Sequence, residues 1–203
     1  MGASPSIHVT RTTTQLLDAL HDNANEPVWL QIDARYRPIV TAMARRLGLT
    51  DTDADEVAQQ TLTEFVKAYG EGRYDRAKGR LSSWILGIAH HSIIRVLKRS
   101  KREGATTTSL GELVDEPALR SIWADERDRA ILSQALELLR GESGVDDRTL
   151  LAFELTSIRG VPAQEAGQQC SMTVDQVYVA KSRIVKRLRA LVEQLTTAFE
   201  EDQ

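Results

Sequence analysis

Apolar residues recur every three or four positions along this chain, and long strand-like runs of Val, Ile, Thr and aromatics are missing. The clearest stretch is Val28 to Leu47. There Trp29, Ile32, Tyr36, Ile39, Val40, Met43 and Leu47 fall at helical spacing. A chain patterned in this way is expected to be all-α. Pro38 lies inside the run and is the place where that helix would kink.

The chain has 203 residues, which allows one or two small domains with modest cores. Its 41% hydrophobic and 27% charged residues are ordinary for a soluble globular protein. No apolar run approaches the roughly 20 residues that span a bilayer, and Met1 to Arg11 lacks the apolar core of a signal peptide. One cysteine, Cys170, excludes an internal disulfide and a cysteine-cluster zinc site. No nucleophile–base pair, metal-ligand spacing or phosphate-binding loop is visible, so an enzyme is not expected. These readings describe a cytoplasmic protein with no cofactor and no membrane partner.

The pattern predicts two small helical domains joined by a flexible acidic linker. Residues 1–11 read as a disordered N-terminus, 12–102 as the first domain, 103–128 as the linker, 129–197 as the second domain and 198–203 as a tail. Within the first domain, helices are expected over Thr14–Leu20, Val28–Leu47, from the cap-rich Thr50–Glu56 to Tyr69, and over Leu81–Lys101 behind a Ser82-Ser83 cap. The buried stripe of the third should be Ala54, Val57, Ala58, Thr61, Phe65, Ala68 and Tyr69. The linker is Thr-rich and then acidic, with some local helix near Trp123. In the second domain, helices follow near Arg129, over Arg148–Ser157 and from Pro162.

The whole chain has a net charge of −3, yet Val177 to Leu191 carries five basic residues (Lys181, Arg183, Lys186, Arg187, Arg189) and no acid. Thr173 and Gln176 have the spacing of a capping box, which starts the last helix at Thr173. A short helix and a turn at Cys170–Met172 precede it. That order is the helix-turn-helix arrangement, in which the N-terminal residues of the second helix enter the major groove. Asp175, Gln176, Tyr178, Val179 and Ser182 are then placed to approach bases. Lys181, Arg183, Lys186 and Arg187 approach phosphates, and Arg183 could also read a base. A solvated basic face of a helical bundle is the plainer alternative.

A second basic stretch lies upstream. Arg73 to Arg102 holds nine basic residues and one acid, Asp75, and its loop contains Tyr74. Basic residues beside an aromatic suit single-stranded or melting DNA, where bases stack and phosphates are neutralised.

Y-D-R-A-K-G-R-L-S-S-W-I-L-G-I-A-H-H, Tyr74 to His91, resembles the F-D-P-x-x-G-x-F-x-x-W-L-x-x-I-A-x-N signature of extracytoplasmic-function (ECF) sigma factors. D-A-D-E-V-A-Q-Q-T-L-T-E-F, Asp53 to Phe65, is similar to that family's D-A-E-D-L-V-Q-E-x-F. G-V-P-A-Q-E-A-G-Q-Q-C-S-M-T-V-D-Q-V, Gly160 to Val177, is similar to its G-x-S-x-x-E-I-A-x-x-L-G-I-S-x-x-T-V. The three occur in order across most of residues 14–195.

The resemblance implies a bacterial transcription initiation factor that binds core RNA polymerase and promoter DNA and is not itself catalytic. The first domain, sigma region 2, would bind the polymerase clamp and open the −10 element. The second, sigma region 4, would bind the −35 element. Carried over by position, the −10 contacts would be Tyr74, Asp75, Arg76, Lys78, Arg80, Ser83, His91, Arg95 and Arg99. His91 stands at the family's Asn position and Arg95 at its Asp position, so an altered base preference is expected. Trp84 is read as core before base-stacking, and His90 and His91 as surface before metal ligands.

The −35 contacts would be Gln164, Thr173, Asp175, Gln176, Tyr178, Val179, Ser182, Arg183, Lys186 and Arg187. Cys170 matches a core leucine. Ser171 replaces the turn glycine, and Asp175 stands where the family often has Gly.

The clamp contacts would be Asp53, Glu56, Gln59, Gln60 and Thr63. Gln60 stands where the family has Glu, which removes a negative charge from a face that binds through acids. Phosphorylation of Thr63, or secondarily Thr61, would return about −1.5 to −2 charge. This resembles a subgroup controlled by a Ser/Thr kinase; sequestration by an anti-sigma factor is the other mode of control. Two further readings stand beside the sigma factor. One is a stand-alone helix-turn-helix regulator that binds duplex operators without polymerase. The other is a helical adaptor that mimics a sigma factor.

Overall fold

The structure, a computed structural model, describes residues 13–20, 26–102, 115–141 and 145–200. The predicted disordered N-terminus, most of the Thr-rich stretch and residues 201–203 lie outside these. The described residues are helical without a strand, as the periodicity requires. The chain divides into two units, one of residues 1–130 with 197–203 and one of residues 131–196.

In the first unit, α1 (Thr13–Leu20), α2 (Glu26–Arg46), α3 (Asp51–Gly70) and α4 (Leu81–Arg102) share one apolar core. Helix α2 buries Val28, Ile32, Tyr36, Ile39, Val40, Met43 and Leu47 just beyond its end, the predicted face with Trp29 only half-buried. Pro38 is inside α2 and exposed. Helix α3 starts where its sequence signals. Thr50 is the cap, and its hydroxyl accepts from the Asp53 N–H at 3.2 Å. The buried stripe of α3 adds Leu62 to the predicted set, while Tyr69 is only half-buried and donates its hydroxyl to the Leu17 carbonyl at 3.0 Å.

Two boundaries differ from expectation. Helix α4 begins at Leu81, with the Trp84 N–H bonded to the Arg80 carbonyl at 3.1 Å. Ser82 and Ser83 therefore lie within its first turn and do not cap it. The linker reading also changes. Residues 116–128 form the first part of α5 (Glu116–Gly141), and Leu119, Trp123 and Glu126 are buried. Glu126 accepts from Arg46 at 3.1 Å and from Arg129 at 2.7 Å, which neutralises a carboxylate that burial would otherwise penalise.

The last turn of α8 (Val174–Glu200) belongs to this unit too. Residues read as a tail, Ala198 and Phe199, are buried. Arg35, 1% exposed, donates to the Ala198 carbonyl at 3.2 Å and lies 4.7 Å from the Phe199 ring centroid. A buried guanidinium is thus held by a carbonyl and an aromatic face.

The second unit contains the rest of α5, α6 (Asp147–Phe153), a π-helical turn (Glu154–Ile158), α7 (Ala163–Cys170) and most of α8. Ala152, Leu155, Ala166, Cys170, Val177 and Ala180 form its buried cluster, with Met172 packed against it. Cys170 acts here as a small apolar group.

Candidate nucleic acid and protein interface

The first unit presents its basic residues from two neighbouring elements. Between α3 and α4, Asp75 opens a single 3₁₀ turn, Arg76–Lys78. Its carboxylate accepts from the Ala77 N–H at 3.0 Å and pairs with Lys78 at 3.3 Å. The amide bond, and secondarily Lys78, hold the Asp75 carboxyl below its ordinary range. Asp75 therefore shapes the loop. Arg76, Lys78, Arg80 and Ser83 are exposed on it and on the first turn of α4.

Tyr74 is already engaged by neighbouring rings of the chain. It stacks on Trp84 at a centroid distance of 5.1 Å and on Tyr69 at 6.1 Å, and its hydroxyl donates to the Gly79 carbonyl at 3.3 Å. Phe65 meets the edge of Trp84 at 5.6 Å. The aromatic group fixes the base of the loop, and Trp84, half-buried, is part of that packing.

Along α4, His91, Arg95 and Arg99 are exposed at intervals of four residues and share one face. A nitrogen of His91, Nδ1, lies 2.7 Å from the Gly87 carbonyl. His90 is half-buried, and burial, with His91 beside it, lowers its pKa below the ordinary histidine value. Arg99 reaches across to α3 while staying partly exposed. It bonds Glu56 at 2.8 Å and Asp53 at 3.4 Å.

That pairing joins the expected −10 residues to the expected clamp residues. Arg99 holds the Glu56 carboxyl below its ordinary range. Glu56 also accepts from the Gln60 amide at 2.8 Å. Two of the acids expected to meet the clamp are thereby engaged within the protein. Next along the same faces, Gln60 and Thr63 stand with Arg95, and no carboxylate bonds Arg95 among the described residues.

Thr63 lies on the rim of two grooves. One, of about 470 Å³, is lined by Gln59, Gln60, Glu64, Lys67, Arg73 and Arg95. The other, of about 340 Å³ between α2 and α3, is apolar, with Leu30 49% and Val66 39% exposed at its edge. Lys67 and Arg73 were not among the sequence-predicted contacts. Their signal was the basic composition of the loop and the last turn of α3. Thr61 corrects an expectation: it is 0% exposed, so a kinase cannot reach it in the folded protein.

In the second unit, α7 is followed by a turn at Ser171–Thr173 and then by α8. The predicted capping box is present in both directions: the Gln176 N–H donates to Thr173 Oγ1 at 3.2 Å, and the Thr173 N–H donates to Gln176 Oε1 at 2.8 Å. This has a consequence for Gln176. Its amide oxygen is engaged in the cap, so bidentate reading of adenine, which needs that oxygen as acceptor, conflicts with the helix start. Thr173 is engaged in the same way.

Tyr178 and Val179 are 60% and 49% exposed. Asp175, Ser182, Arg183, Lys186 and Arg187 are exposed on the same helix, and Gln164 is exposed on α7.

The turn itself is tight. Ser171 has φ 53° and ψ 47°, the one non-glycine residue with positive φ among the described residues. That conformation costs an L-residue about 1–2 kcal/mol. Met172 N–H bonds the Gly167 carbonyl at 2.8 Å and Ser171 N–H the Gln168 carbonyl at 3.3 Å, a Schellman motif. The chain folds back so closely that a Cβ on Gly167 would meet the Met172 carbonyl oxygen at 2.7 Å. Arg148, near the start of α6, was missed from sequence. It donates to the Cys170 carbonyl at 3.0 Å and to the Ser171 carbonyl.

Among the described residues no helix is long and apolar enough to cross a membrane, and no cluster of His, Cys, Asp and Glu could hold a metal ion. No curated protein matches the chain. Residues 32–103 match the family Sigma-70 region 2, a span that contains most of α2, all of α3 and α4, and every residue of the clamp and −10 sets. Over those residues the chain is similar to sigma-70 region 2.

Proposed function

We propose that the protein is an alternative sigma factor of the extracytoplasmic-function type. It binds core RNA polymerase, recognises and melts the −10 element with the first unit, and binds the −35 element with the second. The observation that carries this reading is the coincidence of the sigma-70 region 2 match with an exposed basic loop and helix face at Arg76, Arg80, His91 and Arg95. The helix-turn-helix supports it. Exposed Tyr178 and Val179 offer apolar contact to thymine methyl groups, and Lys186 and Arg187 lie where phosphates would run. The apolar groove edged by Leu30 and Val66 adds a surface that a polymerase helix could cover beside Gln59 and Thr63.

Control acts at Thr63 on this reading. The expected clamp face carries neutral Gln60, and Arg99 already draws on Asp53 and Glu56, which lowers the negative charge offered to a basic partner. A phosphoryl group on exposed Thr63 adds about −1.5 to −2 charge there. A Ser/Thr kinase is the implied partner, with an anti-sigma factor as the competing mode of control. Association of the purified protein with core polymerase, followed by native electrophoresis for the parent and Thr63→Glu, tests both parts. Complex formation strengthened by Thr63→Glu is expected. Complex formation indifferent to Thr63→Glu and Thr63→Ala removes the switch, and absence of any complex in either form removes the sigma reading.

A further inference from the structure

We propose that Arg148 is a positioning residue for the recognition helix. Its guanidinium bridges two successive carbonyls, those of Cys170 and Ser171, at the point where α7 hands over to α8. The inference rests on the reading of α8 as the duplex-binding helix.

The physical case has three parts. First, these carbonyls lie at the C-terminal end of α7, where backbone acceptors have no partner within the helix and the helix dipole is negative. A guanidinium satisfies both at once with charge-assisted bonds, in a fork geometry that an ammonium cannot reproduce. Secondly, the turn holds a serine at φ 53°, a conformation for which glycine is the usual solution. The chain keeps a glycine where a Cβ has no room, at Gly167, and supports the non-glycine turn from outside with Arg148. Thirdly, the capping box at Thr173 and Gln176 follows the turn directly, so the direction of α8 at its N-terminus is fixed by the same few residues. Arg148 ties α6 to that point and sets the angle at which Tyr178, Val179 and Arg183 are presented.

Arg148 also borders a groove with Asp175, Gln176 and Arg183, so a direct phosphate contact is the competing role. Salt dependence separates the two. A lost phosphate contact lowers the slope of log affinity against log salt by about 0.9, whereas a lost positioning contact weakens binding and leaves the slope unchanged.

The test uses the full chain and a duplex that the parent protein selects from a randomised pool, with anisotropy titrations at several salt concentrations. Arg148→Ala is expected to weaken binding roughly tenfold with an unaltered slope. Arg148→Lys should not restore it. Ser171→Gly in the Arg148→Ala background should recover most of the loss, because glycine relieves the turn that Arg148 supports, and an unchanged circular dichroism spectrum of Arg148→Ala shows that the single variant is folded. A slope lowered by about one would assign Arg148 to the phosphate backbone and overturn the proposal. So would unchanged affinity, or failure of Ser171→Gly to rescue. If the parent selects no duplex from the pool, the reading of α8 fails and the proposal falls with it.

Discussion

Trp123 of α5 stacks on Tyr36 of α2, with ring centroids 6.4 Å apart and planes inclined at 23°. Phe199, from the last turn of α8, meets the edge of Tyr36 at 6.2 Å. Tyr36 is thus enclosed by rings from two segments far away in sequence, one read as linker and one as tail. Both are structural parts of the first unit.

Trp123→Ala should therefore destabilise the first unit by about 3 kcal/mol, the usual range for loss of a buried large aromatic. Urea unfolding followed by circular dichroism measures it. An effect below about 0.5 kcal/mol, typical of a surface site, would mean that residues 116–128 behave as a linker after all.

The Arg99–Glu56 pair predicts an acid dependence. The folded Glu56 carboxyl titrates below its ordinary 4.5, first because Arg99 bonds it. A carboxyl lowered in the folded state contributes stability above its unfolded value and loses that contribution as pH falls through the folded one. Both partners are substantially exposed, so water limits the pair to under about 1 kcal/mol at neutral pH. Arg99→Ala should lower the unfolding midpoint slightly at pH 7, and the gap from the parent should close as pH falls below 4.5. A gap that persists in acid would show that Arg99 stabilises by packing and not through the Glu56 charge.

Thr61 and Thr63, two positions apart on α3, should respond differently. The Thr61 hydroxyl is buried without a hydrogen-bond partner. Thr61→Val should stabilise the protein by about 1 kcal/mol by removing an unsatisfied polar atom. Thr63→Val should change stability by less than about 0.5 kcal/mol. Thermal unfolding of the two variants provides the comparison; destabilisation by Thr61→Val would reveal a partner for that hydroxyl.

On α8, Tyr178 and Lys186 should separate by kind. Tyr178→Ala should cost about 1–3 kcal/mol on the preferred duplex and little on unrelated sequences, with the salt slope retained. Lys186→Ala should weaken all duplexes alike and lower the slope by about one. Anisotropy titrations on a preferred and a scrambled duplex distinguish them. Equal, sequence-independent losses from both variants would contradict base reading by this helix.

Most helices were legible because their signals are local. The Thr50 cap, the stripe of α3, the Gly160 stop and the Thr173–Gln176 box each lie within a few residues of one another. The first part of α5 was not legible as a structural helix. Its composition is acidic, and the residues that bury it, Tyr36 and Arg46, are supplied by α2.

In the site, exposure and charge could be read from residue type, but engagement could not. Arg99 looks free until Glu56 is placed opposite it. Tyr74 looks available until Tyr69 and Trp84 engage it. Arg148 left no signal because its partners are backbone carbonyls, which any residue could supply.

The central claim is that this chain confers promoter specificity on RNA polymerase. Run-off transcription with bacterial core polymerase on a library of promoter-sized fragments, using the parent and Thr63→Glu side by side, tests it most directly. Discrete transcripts that share a −35 and −10 pair, stronger with Thr63→Glu, are the predicted result. No transcript from either form, alongside sequence-specific duplex binding by the protein alone, would contradict it and assign the chain to a regulator that works without joining the polymerase.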